Sequence, residues 1–127
     1  MKIGFTAGAF DLLHAGHVLM LQEAKKHCDY LIVGLHIDPY IERKEKHKPI
    51  ESVLERQIRL RGCRFVDEVI VYETEKDLEI ILANWRIDVR FLGDEYENKS
   101  ITGKDIMPII YIIRYHPYSS SELRKRL

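Results

Sequence analysis

The chain has few of the residues that define specialised classes of protein. Its two cysteines, Cys28 and Cys63, lie far apart and form neither a CxxC pair nor a disulfide framework. No apolar run approaches the roughly 18 residues that a membrane helix requires, and the N-terminus lacks the pattern of a signal peptide. We therefore expect a cytoplasmic protein in a reducing compartment, with no membrane insertion.

The sequence also lacks an excess of charge of either sign. Lysine and arginine number 20, and aspartate and glutamate number 20, so no global positive field exists to attract a nucleic acid or an anionic membrane. Two phosphate-binding patterns are absent as well, the GxGxxG of dinucleotide-binding oxidoreductases and the Walker A pattern GxxxxGK[ST]. Any site for an anion must be local and of another kind.

The length and the apolar content of the sequence are sufficient for one α/β domain spanning residues 1–127. Short apolar runs predict buried strands at residues 3–7, 30–36, 68–72, 89–92 and 109–113. Segments of helical period predict helices at residues 17–27, 53–62 and 75–85, with a last helix at 122–127. Capping boxes at Ser52–Glu55 and Thr74–Asp77 predict two of the helix starts. We expect a Rossmann-like open five-stranded parallel sheet of order 3-2-1-4-5 with helices on both faces.

The first strand-to-helix connection carries the clearest chemical pattern. Gly8 closes the first predicted strand, and the chain then turns into a helix expected to begin near Gly16 and His17. Free backbone N–H groups at such a helix end bind phosphates. His14 and His17 are three residues apart, so both imidazoles face one side, and Gly16 between them leaves room for a phosphate. The pattern predicts a phosphate site at the carboxyl edge of the sheet.

Residues 8–17 read GAFDLLHAGH and resemble the HxGH segment of the cytidylyltransferase-like nucleotidyltransferases. Further matches follow in the order seen in glycerol-3-phosphate cytidylyltransferases, and they span nearly the whole chain: DYLIVG with Asp38, the pair Glu55-Arg56, RFVDEV from Arg64, Gly93-Asp94, and YSSS ending at Ser121. One departure is Ala9, where the family usually has Thr or Cys. In a second departure, serine replaces threonine in the C-terminal motif.

The resemblance implies transfer of CMP from CTP to an alcohol phosphate, glycerol 3-phosphate in the first place, with release of pyrophosphate. The acceptor phosphate is mostly dianionic at neutral pH, because its second pKa is about 6, and it needs no general base. Catalysis then consists of positioning and of electrostatic stabilisation. Mg²⁺ is the implied cofactor and arrives with the triphosphate, without a dedicated metal site in the protein. The family also implies a homodimer that pairs through the segment around Arg64.

The resemblance assigns residues to three groups. The catalytic group comprises His14, His17, Lys46 and Arg114. The nucleotide-binding group comprises Gly8, Ala9, Phe10, Asp11, Gly16, Gly93, Asp94, Ser119, Ser120 and Ser121. The substrate-binding group comprises Lys44, Arg56 and Arg64. Asp11 is equally open to interpretation as a structural turn residue. Arg56 is expected on the outer face of its helix and Arg64 just before a strand, and both are also candidates for the dimer interface.

Two other functions stay open. Adenylyl transfer uses the same HxGH segment in the pantetheine-phosphate, flavin and heptose-phosphate branches of the superfamily, and base choice lies outside that segment. RFVDEV and the arginine with its serine-rich terminus favour cytidylyl transfer. A catalytically idle nucleotide-binding module is the second alternative, and Ala9 is its only support.

Overall fold

Five apolar runs form a parallel sheet in the computed structural model, which describes residues 1–127. The strands are β1 (Ile3–Gly8), β2 (Tyr30–His36), β3 (Glu68–Tyr72), β4 (Val89–Gly93) and β5 (Ile109–Ile112). They lie in the order β3-β2-β1-β4-β5, and every neighbouring pair is parallel. This sheet confirms the predicted Rossmann-like architecture and its strand order.

Helices connect the strands and begin at defined caps. They are α1 (Ala15–Lys25), α2 (Val53–Arg61), α3 (Glu75–Asn84) and α4 (Ser120–Lys125), with a short 3-10 turn at Asp94–Tyr96. Both predicted capping boxes are present: the Ser52 side chain accepts from the Glu55 N–H at 3.1 Å, and the Thr74 side chain accepts from the Asp77 N–H at 3.0 Å. The caps fix the starts of α2 and α3.

Separate hydrophobic cores cover the two faces of the sheet. On one face, Leu21 of α1 and Leu60 of α2 pack against strand residues such as Phe91. On the other face, three α3 side chains pack against Phe5 and Ile32. Burial on both faces explains why the strands read as continuous apolar runs. No helix is both long and apolar enough to cross a membrane.

Helix α1 begins two residues earlier than the sequence predicts. Its N-cap is His14, whose side chain takes the place of the usual serine or aspartate and accepts from the N–H groups of Gly16 and His17. The expectation of free N–H groups at this helix start is therefore wrong for these two residues. The His14 imidazole satisfies them instead.

Candidate active site

A cavity of about 450 Å³ opens at the carboxyl edge of the sheet. The ends of β1 and β4, marked by Gly8 and Gly93, line it together with the start of α1 and the segment between β5 and α4. The strand order reverses between β1 and β4, so the cavity lies at the topological switch point, where open α/β sheets bind their ligands. Its volume is that of a small-molecule site.

The loop between β1 and α1 is strained and tightly held. Phe10 and Leu12 have positive φ angles of 48° and 52°, a backbone conformation that residues other than glycine rarely adopt. The Asp11 carboxylate accepts from the N–H groups of Ile50 and Glu51 at 2.8 and 2.9 Å. In return, the Glu51 carboxylate accepts from the Leu12 N–H at 2.7 Å. These bonds hold the strained loop in place.

Asp11 also joins this loop to the C-terminal helix. The Arg124 guanidinium lies 3.0 Å from the Asp11 carboxylate, and the Ser120 hydroxyl donates to the Asp11 carbonyl at 3.0 Å. Asp11 is 6% exposed and does not line the cavity. Its contacts give it the structural role that the sequence left open, because its carboxylate is occupied by protein donors.

The two histidines of the HxGH segment cap each other. His14 Nδ1 accepts from the Gly16 N–H at 3.0 Å and from the His17 N–H at 3.4 Å, and His17 Nδ1 accepts from the His14 N–H at 3.2 Å. Because a backbone N–H only donates, neither Nδ1 carries a proton in this arrangement. A neutral imidazole then has its proton on Nε2. The rings stack with centroids 3.8 Å apart and both line the cavity.

The surroundings keep both imidazoles uncharged at neutral pH. Burial, together with the neighbouring His14 and Arg114, lowers the pKa of His17 from 6.5 to about 3, although Asp11 acts in the opposite direction. Burial also lowers the pKa of His14, with further contributions from Arg114 and His116. The pair therefore presents two neutral N–H donors to the cavity rather than two positive charges.

Gly16 lies where no side chain fits. A Cβ at this position would stand 2.7 Å from His116 Cε1, 2.8 Å from His14 Cε1 and 2.9 Å from the Tyr118 carbonyl oxygen. Such separations are shorter than real Cβ contacts allow. The close approach of the segment before α4 thus requires glycine here, in addition to the room for a phosphate that the sequence suggested.

Arg56 is the centre of a buried hydrogen-bond network, so its expected place on the outer face of α2 is wrong. The residue is 2% exposed, and its guanidinium donates to five backbone carbonyls, those of Ala9, His36, Ile37, Glu51 and Ser52. These carbonyls lie after β1, at the end of β2 and before α2. Arg56 therefore holds three loops at the cavity, and it does not itself line the cavity wall.

The cavity gathers most of the residues predicted for the site. Those on its wall are Gly8, Ala9, Phe10, His14, Gly16, His17, Lys46, Gly93, Arg114, Ser119 and Ser120. Arg114 donates to the Tyr118 carbonyl at 2.5 Å, which fixes the segment leading into α4. Ser119 caps α4 by accepting from the Glu122 N–H at 3.0 Å.

Asp11 and Arg56 do not line the cavity. Four further predicted residues are also absent from its wall, namely Lys44, Arg64, Asp94 and Ser121. Lys44 lies over the Tyr40 ring, 4.3 Å from its centroid. Arg64 is exposed before β3, at the amino end of the strand and therefore away from the cavity. Asp94 and Ser121 are in helical turns whose neighbours, Glu95 and Ser120, face the cavity instead.

Sequence reasoning missed several cavity residues, namely His36, Arg43, Tyr72, Glu75, Arg90 and His116. Arg90 had a usable signal, because it is the one charged residue inside the apolar strand β4. The others come from loop segments, from strand ends or, for Glu75, from the start of α3, and only the tertiary fold brings them together.

The side chains fit a magnesium ion that arrives with a nucleotide. No group of three or more His, Cys, Asp or Glu residues is placed to hold a metal. Glu95 supplies a carboxylate at the cavity wall, beside Gly93. Mg²⁺ commonly binds in this way, through one or two carboxylates and the substrate phosphates.

Comparison with known proteins identifies relatives over the full length of the chain. The bifunctional protein HldE of Campylobacter curvus is 38% identical over 128 residues, which cover 99% of this chain and 27% of the relative. HldE of Wolinella succinogenes is 43% identical over 115 residues, covering 90% of this chain and 24% of the relative. The chain thus spans about a quarter of the length of these curated relatives.

Solved structures show the same architecture. A lipopolysaccharide core biosynthesis protein from Thermoplasma volcanium superimposes with a TM-score of 0.70 at 29% identity, covering 94% of this chain and 99% of that one. A nicotinate-nucleotide adenylyltransferase from Vibrio parahaemolyticus, described as putative, has a TM-score of 0.60 at 18% identity, covers 100% of this chain and 87% of that one, and shares the fold. The cytidylyltransferase-like family model matches residues 5–126. The chain belongs to the cytidylyltransferase-like family of nucleotidyltransferases.

Proposed function

We propose that this chain transfers an adenylyl group from ATP to the phosphate of a sugar phosphate, with release of pyrophosphate. The observation that carries nucleotidyl transfer is the stacked pair His14 and His17, two fixed Nε2–H donors on the wall of a cavity at the switch point of the sheet. Lys46 and Arg114 add positive charge to the same wall. A triphosphate is the ligand that such donors and cations suit.

The reaction requires positioning rather than a protein base. An oxygen of the acceptor phosphate forms a bond to the α-phosphorus, and the bond from the α-phosphorus to the bridging oxygen breaks. Pyrophosphate leaves with that electron pair. His14 and His17 donate hydrogen bonds to the phosphate oxygens that gain charge, and Arg114 holds the departing phosphates. Mg²⁺ bound to the triphosphate supplies further neutralisation of its charge.

The choice of adenylyl over cytidylyl transfer rests on two observations. The relatives reported above are HldE proteins rather than glycerol-3-phosphate cytidylyltransferases, and the relative at 29% identity is described as acting in lipopolysaccharide core biosynthesis, a pathway that handles sugars. This combination favours the adenylyl alternative that the sequence left open, with a sugar phosphate as acceptor.

The motif that favoured CTP has another explanation. No residue of RFVDEV, residues 64–69, lines the cavity. Asp67 instead accepts from the Leu31 N–H at 2.8 Å and pairs with Lys25 at 2.5 Å. Glu68 accepts from the Tyr30 hydroxyl at 2.8 Å. The contacts with Tyr30 and Leu31 join the amino ends of β2 and β3. A role in stabilising the sheet therefore explains the acidic residues of this motif without any contact with a nucleotide.

We further propose that residues 1–127 act as one nucleotidyltransferase domain. Both hydrophobic cores are built from side chains of this chain alone, and the cavity is formed between its first and last helices. In relatives four times as long, this unit would be one part of a larger protein.

The test has two steps. Thermal unfolding is followed with ATP, CTP, GTP and UTP in the presence of Mg²⁺, where a ligand at 100 times its Kd stabilises by about 2.7 kcal/mol. Pyrophosphate release is then measured with the best nucleotide and with sugar phosphates or glycerol 3-phosphate as acceptors. We expect ATP to stabilise most and a sugar phosphate to be adenylylated.

The alternatives give different results in the same assay. A preference for CTP with turnover of glycerol 3-phosphate would establish cytidylyl transfer instead. Nucleotide binding without pyrophosphate release from any acceptor in the panel would support the idle nucleotide-binding module and contradict nucleotidyl transfer.

A further inference from the structure

Arg90 is a buried cation whose hydrogen bonds are incomplete. It is 4% exposed, and its Nη1 donates to the Thr102 carbonyl. Its Nε is buried with no hydrogen-bond partner in the protein, the one such side-chain atom in the chain. Arg56 is equally buried but donates to five carbonyls. A buried donor on a cation costs free energy when it has no acceptor. The missing acceptor for the Arg90 Nε–H must therefore come from outside the protein.

Arg90 lies on the wall of the cavity, in a part that we call the Arg90 lobe. The lobe consists of Arg43, Tyr72, Glu75, Arg90 and Thr102, all of which line the cavity. Glu75 already bonds to two of its members, to Arg43 at 3.2 Å and to the Thr102 hydroxyl at 3.2 Å. Glu75 therefore compensates Arg90 only at a distance, and the lobe keeps a surplus of positive charge.

Tyr72 adds a second donor without a partner. Its ring is 5% exposed and stacks on His36 with centroids 4.6 Å apart, and its hydroxyl makes no hydrogen bond within the protein. Burial raises the pKa of Tyr72, so the hydroxyl keeps its proton and donates. Arg90 and Tyr72 both line the cavity, and each has a donor without a protein acceptor, an arrangement that suits a ligand with several acceptor oxygens.

The lobe and the histidine pair lie on opposite faces of the sheet. Arg90 follows Val89 and precedes Phe91, which both belong to the core beneath α1 and α2, so strand alternation directs Arg90 to the α3 face. Tyr72 belongs to the core on that α3 face. His14 and His17 are at the start of α1.

In-line displacement requires the incoming oxygen to approach opposite the departing phosphates. If the histidines and Arg114 hold the departing phosphates, the acceptor enters from the Arg90 lobe.

We propose that the Arg90 lobe is the acceptor subsite and that Arg90 binds an oxyanion of the phosphorylated acceptor, a role that rests on the nucleotidyl transfer proposed above. The guanidinium offers Nε–H and Nη2–H on one edge, the bidentate geometry that phosphate oxygens accept. Lys46 lies on the same cavity wall and adds a second positive charge for an anionic ligand. Arg90 would thus select acceptors that carry a negatively charged phosphate over uncharged ones.

The first test observes the Nε–H of Arg90 directly by ¹H–¹⁵N NMR, with inorganic phosphate as the probe and chloride at equal ionic strength as the control. The signal is assigned by its loss in Arg90→Lys. We expect phosphate to shift the Arg90 signal and to leave that of Arg86 unchanged, since Arg86 is exposed and lies outside the cavity. An Arg90 signal that phosphate does not move would overturn the proposal. This result does not depend on turnover, so it stands apart from failure of the proposed function.

The second test separates binding from a structural role. Arg90→Met should raise the KM for the acceptor by about 10- to 100-fold, the range for loss of a charge-assisted hydrogen bond, while the KM for the nucleotide stays within twofold. Arg90→Lys should recover part of that loss, and Arg86→Met is the matched control. A variant that unfolds at lower temperature but keeps the parent's KM for the acceptor would show that Arg90 only supports the fold.

Discussion

Asp11 and Glu51 each bind the backbone of the other's segment. The Asp11 carboxylate accepts from the N–H of Glu51 at 2.9 Å, and the Glu51 carboxylate accepts from the N–H of Leu12 at 2.7 Å. Arg59 lies 2.6 Å from the second oxygen of Glu51. The strained loop before α1 is thereby attached to the segment before α2, and the positions of His14 and His17 depend on this attachment.

Asp11→Asn tests this attachment. The amide offers one acceptor oxygen in place of two and leaves a backbone N–H without a partner, so we expect the free energy of unfolding to fall by about 1–3 kcal/mol. Turnover should fall as well, because the loop that positions the histidines loosens. Urea unfolding and pyrophosphate release are the measurements. Asp105→Asn, at an exposed position, is the control, and equal behaviour of the two variants would contradict the role of Asp11.

His17→Ala should abolish most turnover and leave the fold intact. It removes an Nε2–H donor from a transition state that carries more charge on the bridging oxygen than the ground state does. By comparison with single oxyanion-hole donors, we expect kcat to fall by about 10² to 10³, which is about 3 to 4 kcal/mol. His14→Ala should be nearly as severe. Pyrophosphate release measures the loss, and circular dichroism checks the fold.

Two further variants separate chemistry from capping. His17→Gln keeps a side chain at N3 that can accept from the His14 N–H, so it should restore helix stability relative to His17→Ala without restoring the rate. His47 is exposed and outside the cavity, so His47→Ala should retain the parent's rate. Turnover of His17→Ala within threefold of the parent would show that the catalytic centre lies elsewhere.

Gly16→Ala should disrupt the site through its single added methyl group. The new Cβ would displace the His14 ring, the His116 ring or the Tyr118 backbone, and we expect weaker nucleotide binding, measured as a smaller thermal shift at a fixed ATP concentration. Gly62→Ala is the matched control, because its Cβ would have only ordinary contacts, at 3.4 Å and beyond, in a helical conformation that alanine favours. An equal thermal shift in both variants would rule out the close approach at Gly16.

Stability should fall on acidification because His17 is held partly buried in its neutral form. Its pKa in the folded state is about 3 against 6.5 for the ordinary group, so the unfolded chain takes up the proton first as the pH falls. The stabilisation is complete above pH 6.5 and is lost progressively toward pH 3, at up to about 1.4 kcal/mol per pH unit for one proton. Urea unfolding from pH 7.5 to 4 measures the slope. His17→Gln should show a shallower slope, and an identical slope would contradict this explanation.

The protein should form a homodimer through the exposed face of α2. Leu54 and Ile58 are one helical turn apart on that helix and are 62% and 63% exposed, close in sequence to the predicted pairing segment around Arg64. We expect light scattering to report about twice the 15.0 kDa of one chain and Ile58→Asp to dissociate the dimer. Ile80→Asp, on the exposed face of α3, is the control. A 15.0 kDa species alone at assay concentrations would contradict the dimer.

The sequence predicted the strands closely because buried parallel strands are apolar on both faces, a pattern visible without any tertiary information. The histidine pair was visible for the same kind of reason, since its spacing is local. Arg56 was misplaced because three of the carbonyls that it binds, those of Ala9, His36 and Ile37, are distant in the sequence and only the tertiary fold brings them to it. The start of α1 was misplaced because histidine is an unusual N-cap.

Arg56 has a consequence for how such a protein can change over evolutionary time. The guanidinium that fixes the loops around the cavity lies behind them and contributes nothing to the cavity wall. Wall residues whose side chains bind no backbone group can therefore be exchanged without removing the hydrogen bonds that hold these loops. New acceptor specificities are then within reach of a few substitutions at positions such as Arg43 and Tyr72, whereas a change at Arg56 would release three loops at once.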